Sequence, residues 1–376
     1  MGGKAFADLG EPIRLPTARI EPIARAICAA VGSRMVLWPT EKADHGDIDL
    51  VIEASTVARL GDCELAARVA EAAGFDHVYK RPDVRDPIMF VGLKLPEGLL
   101  QVDLVSAPDD LFDFATRYLS WGDTGTMIGR MAREMGMTFG QNGLRFPVRI
   151  EGVGKESVLL CADFAEAVRL LGWDPAVHDA GFANDTEIAD FIASGAYFDP
   201  KVYDPARASS EARRRGKVRR GRDAFLADVT SRTGRFEWPE TKGANPLQEH
   251  FADAALDHFG KRAEVEAAID RLKESTKRPA TVFSNEAVME ATGCKRSDVG
   301  PLMAVIMEDF PNSGDFPAWK ASCTLEDLGE RARAALPILV QRRIVAAEGR
   351  AKHQADVERG LAKRAARTLK DGEDAR

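Results

Sequence analysis

The sequence predicts an α+β fold in which a mixed sheet with flanking helices is followed by a mostly α-helical C-terminal half. Three observations predict it. Between residues 47 and 54 acids alternate with Ile48, Leu50 and Ile52, the period-two pattern of a strand with one buried face. Two further apolar runs, Met89 to Leu95 and Leu99 to Val105, flank Pro96-Glu97-Gly98, a tripeptide suited to a tight turn between antiparallel strands. From Leu111 onward almost every apolar pattern has helical spacing, punctuated by Gly and Pro.

Each element follows from its residues. Ile20 to Val31 is apolar-periodic and stops at Gly32, a residue that takes the left-handed C-cap without steric cost. Asp47 to Ala54 is a strand. Asp62 caps a helix running to Gly74, with Leu65 and Val69 one turn apart on its buried face. His77 to Lys80, Met89 to Leu95 and Leu99 to Val105 supply the remaining strands of an α+β domain over residues 15–110. The helix-like windows are 111–119, 125–135, 157–171, 185–194, 206–229, 247–274, 283–292, 298–309 and 325–368. Residues 231–246, with Gly234, Pro239, Gly243 and Pro246, read as a linker. The linker separates a helical region with a basic strip over 111–230 from a helical domain over 247–370.

At 376 residues, 45% apolar and 30% charged, the chain is long enough for two to three domains and excludes a disordered or fibrous protein. No apolar run approaches the roughly 20 residues that a bilayer span requires. Met1 to Pro16 has no apolar signal core, so the expectation is a cytoplasmic protein with no membrane partner. Cys28, Cys63, Cys161, Cys294 and Cys323 are odd in number and never in a Cys-x-x-Cys pair, which argues for reduced packing cysteines. The formal net charge of -7 excludes a uniformly basic nucleic-acid coat. The average hides a local run: from Lys201 to Arg222 nine residues are basic and two acidic. Arg213, Arg214, Arg215, Lys217, Arg219, Arg220 and Arg222 are therefore candidate nucleic-acid contacts, the plain alternative being a solvated helix face.

The chemistry-bearing pattern is carboxylate. Asp47 and Asp49 stand one residue apart on a strand, so both project from one face while Ile48, Leu50 and Ile52 enter a core. Asp103 repeats the pattern in Leu100-Gln101-Val102-Asp103-Leu104-Val105. If the two strands are neighbours, three carboxylates converge and repel one another unless cations neutralise them. Hard oxygen ligands suit Mg²⁺, and two ions about 4 Å apart activate an attacking hydroxyl while stabilising a leaving pyrophosphate. One Asp-x-Asp pair alone reads equally well as a solvated strand face; the third strand Asp shifts the balance towards a metal site. Gly32-Ser33 ends a helix shortly upstream and offers backbone N–H groups and a hydroxyl to phosphate oxygens. His45 is the one histidine near this pattern, and none has metal-ligand spacing. Tyr118, Trp121 and Phe139 are core aromatics by default and base-stacking ones otherwise.

These motifs resemble the nucleotidyltransferase palm of the DNA polymerase beta superfamily, especially its family X polymerases. Gly32-Ser33-Arg34, Gly46-Asp47-Ile48-Asp49-Leu50-Val51 and Leu100 to Val105 carry the resemblance, which continues through Asp110 to Asp123, Met131 to Gly136, Asn142-Gly143-Leu144 and Phe164 to Trp173. It covers about residues 15–175. The resemblance implies that Asp47 and Asp49 bind two Mg²⁺ ions, with Mn²⁺ as a substitute, and that Asp103 binds the ion holding the attacking 3′-hydroxyl. It implies that Gly32 and Ser33, with Arg34 as a helper, hold the β- and γ-phosphates, and that Gly122 borders the sugar and base. The chain departs from the family at Ser120-Trp121-Gly122-Asp123, where a Thr-Gly-Ser-like turn is usual, and in a longer loop between Ser33 and Asp47. Residues 283–310 resemble a short segment of CCA-adding and poly(A) polymerases; a helix-turn-helix packing unit punctuated by Gly293 and Gly300 explains the same residues.

The expected activity is transfer of a nucleoside monophosphate from an NTP or dNTP to a DNA or RNA 3′ end, with pyrophosphate released. A template-independent RNA nucleotidyltransferase of CCA or poly(A) type and a catalytically inactive nucleic-acid-binding protein are the alternatives. The acceptor, the need for a template and the oligomeric state stay open at this level.

Overall fold

The structure is a computed structural model that describes residues 5–6, 8–10, 12–80, 87–150, 153–204, 222–239, 245–277, 285–310, 316, 319 and 322–341. The protein is mixed α+β and divides into two units, Met1–Leu272 and Lys273–Arg376. The first unit opens with β1 (Leu15–Pro16), α1 (Thr17–Val31), β2 (Arg34–Met35), β3 (Asp44–His45), β4 (Asp47–Glu53), α2 (Ala54–Ala73), β5 (Asp76–Lys80), β6 (Ile88–Leu95) and β7 (Gly98–Ala107). Five of these strands form one sheet in the order β2-β4-β7-β6-β5. It is a mixed sheet, because β4 and β7 run parallel and every other pair antiparallel.

Alternation along the strands decides what each face carries. Ile48, Leu50 and Ile52 of β4 and Leu100, Val102 and Leu104 of β7 face α1 and α2 and are essentially fully buried. Both helices cover that one face, so the odd-numbered residues, Asp47, Asp49, Gln101 and Asp103, stand on the other. α1 ends at Gly32 with φ 70, the left-handed cap that the sequence predicts. α2 differs from expectation: it begins at Ala54, directly after β4, breaks at Gly61 (φ 72, ψ 163) and continues to Ala73. Asp62 marks only the second part, because the first part presents no comparable buried stripe to reveal it.

The chain continues through α3 (Phe112–Leu119), α4 (Thr124–Glu134), β8 (Thr138–Gly140), β9 (Gly143–Ile150), β10 (Gly154–Cys161), α5 (Phe164–Leu170), α6 (Pro175–Ala180), α7 (Asp185–Ala193), α8 (Arg222–Ser231), α9 (Pro246–Phe259) and α10 (Arg262–Lys277). The nearly all-helical expectation after Leu111 is corrected by the three-stranded antiparallel sheet β10-β9-β8. The helix expected over 157–171 is strand to Cys161 and helix only from Phe164, capped by the Asp163 carboxylate accepting the Glu166 N–H. The cause is long-range pairing: the ladder from Gly154↔Ile150 to Cys161↔Leu144 satisfies backbone groups that a helix would otherwise pair locally. The single helix expected over 247–274 divides at Gly260, which takes φ 64. The segment 231–246 is no open spacer where it is described. Trp238 is 1% exposed in the larger core, its indole N–H donating to the Tyr197 carbonyl and its backbone N–H to Asp199.

The second unit holds α11 (Asn285–Thr292), α12 (Arg296–Met307) and a helix over 325–341 around its own small core of Val288, Leu302, Ile306, Leu328 and Ala332. Gly293 ends α11 in the left-handed conformation, φ 66. Gly300 does not punctuate; it lies inside α12. Among the described residues no helix is long and apolar enough to cross a membrane.

Candidate metal centre

The parallel register sets Asp49 directly beside Asp103 and Asp47 beside Gln101. Because the four share one face, the acidic oxygens are forced together: Asp47, Asp49 and Asp103 each offer an oxygen within 4.8 Å of the others. Asp49 is exposed and the other two are partly buried. Burial, and next the charge of Asp49, push the Asp103 carboxyl up to about 8, with a smaller push from Asp47. A hydrogen bond from Gln101 Nε2 to Asp103 Oδ1, 2.6 Å, opposes that push. Three carboxylates held this close form an anionic site with the donor set of a hard divalent cation.

The sequence motifs flank this triad. Gly32 leads into Ser33 and thence into β2, which pairs with β4 at Arg34↔Val51 and Met35↔Leu50. Ser33 is 7% exposed, and its hydroxyl makes no hydrogen bond of ordinary geometry. It lies close enough to the Cys28 thiol to work against the upward shift that burial gives that group. Arg34 is exposed and engaged elsewhere, donating to Asp113 at 2.7 Å with its guanidinium 4.7 Å from the Phe112 ring centroid.

The chain beyond β2 ties the triad strand to a distant turn. Val36 donates its N–H to the Asp49 carbonyl at 3.0 Å, Leu37 donates to Ser120 Oγ at 3.0 Å, and Trp121 donates back to the Leu37 carbonyl at 2.7 Å. The Ser120-Trp121-Gly122 turn thereby joins the edge of the sheet that carries Asp49. Trp121 and Gly122 both adopt positive φ, 63 and 67. Positive φ is costly for a tryptophan. Its ring is held by Phe182, 5.7 Å away edge-on, and by close approach to Gly181. Trp121 is thus a packing residue, 7% exposed, as is Phe139 at 4%, while Gly122 is exposed.

Of the basic strip, Arg213, Arg214, Arg215, Lys217, Arg219 and Arg220 lie outside the described residues. Arg222 is described and does not sit on a surface. It is 8% exposed, and its guanidinium donates to Asp123 at 2.6 Å. Arg130, equally buried, donates to the Tyr203 carbonyl at 3.0 Å, and burial followed by the nearby Arg222 charge lowers its pKa. His45 is 1% exposed, bonded to Thr17 Oγ1 at 2.9 Å and packed edge-on against Trp38; burial and then Lys42 and Arg14 depress it to about 4, leaving a neutral packing residue.

Gln101 is the site residue that the sequence reading overlooks. Its position two residues before Asp103 was the available signal, since a strand repeats its face every second residue. In comparisons with known proteins, no family model and no curated protein matches this chain.

Proposed function

We propose that the protein is a Mg²⁺-dependent nucleotidyltransferase with a palm of the polymerase beta type, joining a nucleoside monophosphate from an NTP or dNTP to a nucleic-acid 3′-hydroxyl. The convergence of Asp47, Asp49 and Asp103 on one sheet face carries this reading. The residues fit the ions: the donors are all hard carboxylate oxygens, held within 4.8 Å of one another, and a divalent cation would offset both the burial and the mutual repulsion that raise the Asp103 pKa. Asp47 and Asp49 would hold both ions, and Asp103 the one on the side of the attacking hydroxyl. When bound, the ions supply Lewis-acid activation of the hydroxyl and neutralise the departing pyrophosphate.

The chain's own groups do the remainder. In ionised form Asp103 is a base for the 3′-hydroxyl proton. The freed oxygen forms a bond to the α-phosphorus as the bond from that phosphorus to the bridging oxygen breaks. Ser33, whose hydroxyl is buried beside the Cys28 thiol, would turn outward to offer it to a phosphate oxygen, and no atom lies within 4 Å of where a Gly32 Cβ would stand, so backbone approach is open. Gly122 gives the nucleotide an exposed, side-chain-free border. Arg34, committed to Asp113 and Phe112, would have to leave that ion pair to assist at the phosphates. Arg213, Arg214, Arg215, Lys217, Arg219 and Arg220 supply the grip on nucleic-acid phosphates.

The test is extension of labelled single-stranded and primed DNA and RNA oligonucleotides with Mg²⁺ and each NTP or dNTP. Extension by the wild type and none by Asp47→Ala or Asp49→Ala supports the reading, and the preferred primer distinguishes a DNA polymerase from an RNA-tailing enzyme. Undiminished extension by Asp49→Ala overturns the reading. So does tight oligonucleotide binding with no extension on any primer, the behaviour of a binding protein.

A further inference from the structure

Ala5 and Phe6 reach the face of the sheet that carries the acidic triad. Gly92 of β6 is the register partner of Gln101, so the two share a face with Asp103. Phe6 packs over Gly92 and is 3% exposed; a Cβ on that glycine would stand 3.0 Å from the Phe6 ring and from Val78. The chain there is tied at several points. Ile13 donates to the Leu99 carbonyl at 3.3 Å and Lys80 Nζ donates to the Ala5 carbonyl at 3.3 Å, while Leu9 closes a local turn on the Phe6 carbonyl at 2.9 Å. Ala5 then donates its backbone N–H to Gln101 Oε1 at 2.7 Å.

That last bond has a chemical consequence. A glutamine amide presents an acceptor at one end and a donor at the other, and the two ends are interchangeable by rotation. The Ala5 N–H is an obligate donor, so the oxygen must face it. The amide nitrogen is thereby turned towards Asp103, to which it donates at 2.6 Å. Rotated the other way, Gln101 would set an oxygen against a carboxylate and leave the Ala5 N–H unmatched. Gln101 is 5% exposed, so water is a poor substitute for either partner.

We propose that Gln101 is a positioning residue for Asp103, and that the Ala5 backbone N–H sets its orientation, making Ala5 part of the outer shell of the metal centre. The inference rests on the metal-site reading above. A ligand carboxylate fixed by an outer hydrogen bond meets its cation already oriented, and loss of such a bond costs roughly 10–100-fold in metal affinity.

The experiment is calorimetric titration of the metal-free full chain with Mn²⁺, with circular dichroism and melting in chelator for every variant. Gln101→Leu keeps much of the side-chain volume and removes both hydrogen bonds; it is expected to weaken Mn²⁺ binding about tenfold or more. Ala5→Pro removes the N–H while leaving Gln101 in place, and is expected to weaken binding by a smaller factor, whereas Ala5→Gly, which keeps the N–H, binds as the wild type does. A purely structural role would lower the melting temperature and leave the affinity of the folded protein unchanged. Wild-type affinity in folded Gln101→Leu or, should that variant fail to fold, in Ala5→Pro overturns the positioning role and leaves the metal reading standing. A wild-type protein that binds no Mn²⁺ overturns the metal reading itself, and this inference with it.

Discussion

Asp49 and Asp103 are direct partners in the parallel register of β4 and β7. Burial, and next the like charge of Asp49 on the adjacent strand, make the folded protein hold a proton that the unfolded chain releases, so that Asp103 is pushed up to about 8. Between about pH 4, where an unfolded Asp ionises, and pH 8, the native state binds more protons than the unfolded one, and metal-free stability attributable to Asp103 falls as pH rises. Asp103→Asn removes that dependence. Urea midpoints in chelator at pH 5 and pH 8.5 are expected to show the variant gaining stability relative to wild type at the higher pH; an equal difference at both values contradicts it. Adding Mg²⁺ should stabilise the wild type more at pH 8.5 than at pH 5, since the cation binds the ionised form.

His178 is 2% exposed in an aromatic cluster with Phe164, Phe182 and Phe191, and neither ring nitrogen makes a hydrogen bond of ordinary geometry, Nδ1 lying 3.7 Å from Asp179 Oδ1. Burial, and then the Arg117 charge, lower its pKa to about 4, while Asp179, itself ion-paired to Arg117, pulls the other way. As pH falls from about 6.5 towards 4 the unfolded chain takes up a proton that the native state refuses, so stability falls. The shift is worth on the order of 3 kcal/mol at the acid end. His178→Phe is expected to flatten the urea midpoint over this range, and an unchanged slope would count against the assignment.

Asp123 and Arg222 join the start of α4 to the start of α8 through a pair only 15% and 8% exposed. Truncating the carboxylate strands Arg222 beside the equally buried Arg130. Asp123→Ala is expected to cost about 3–5 kcal/mol in denaturant unfolding. Adding Arg222→Met to that variant should recover a substantial part of the loss. A double variant no more stable than Asp123→Ala would show that the buried cation is not the source of the cost.

Gly125, in the first turn of α4, has no room for a side chain. A Cβ there would stand 2.2 Å from the Tyr118 carbonyl oxygen, a backbone atom that cannot swing away. Gly125→Ala is therefore expected to destabilise by about 1–3 kcal/mol through a shift of α3 against α4. Because the turn between those helices is bonded to Leu37, the residue after the backbone partner of Asp49, activity on the best primer should drop as well. A variant with wild-type melting would contradict the close approach.

The strands and helices that position the acids are legible locally. Asp47-Ile48-Asp49-Leu50 and Val102-Asp103-Leu104 announce two half-buried strands because side chains alternate with period two, and Gly32 announces the end of α1 because positive φ is cheap only there. The β8 to β10 sheet was not legible in the same way. Val158, Leu159, Leu160 and Cys161 run together without clear alternation, a short apolar run that fits either a strand or a helix until its partner is known. That partner is the strand Gly143–Ile150, and pairing overrode the helical reading.

The residues alone determined which chemical groups the molecule carries: hard acidic oxygens on a strand face, a glycine-serine turn upstream, a basic strip downstream. Only the tertiary structure decided what stands beside what. The register of β4 on β7 brought Asp103 to Asp49 across 54 positions of sequence, burial turned Arg222 inward, and the N-terminal backbone reached Gln101 from 96 residues away. The division has a physical cause. Which face a side chain takes is set by dihedral periodicity within a few residues, whereas proximity between distant segments, and with it every charge interaction and amide orientation at the triad, exists only once the sheet has closed.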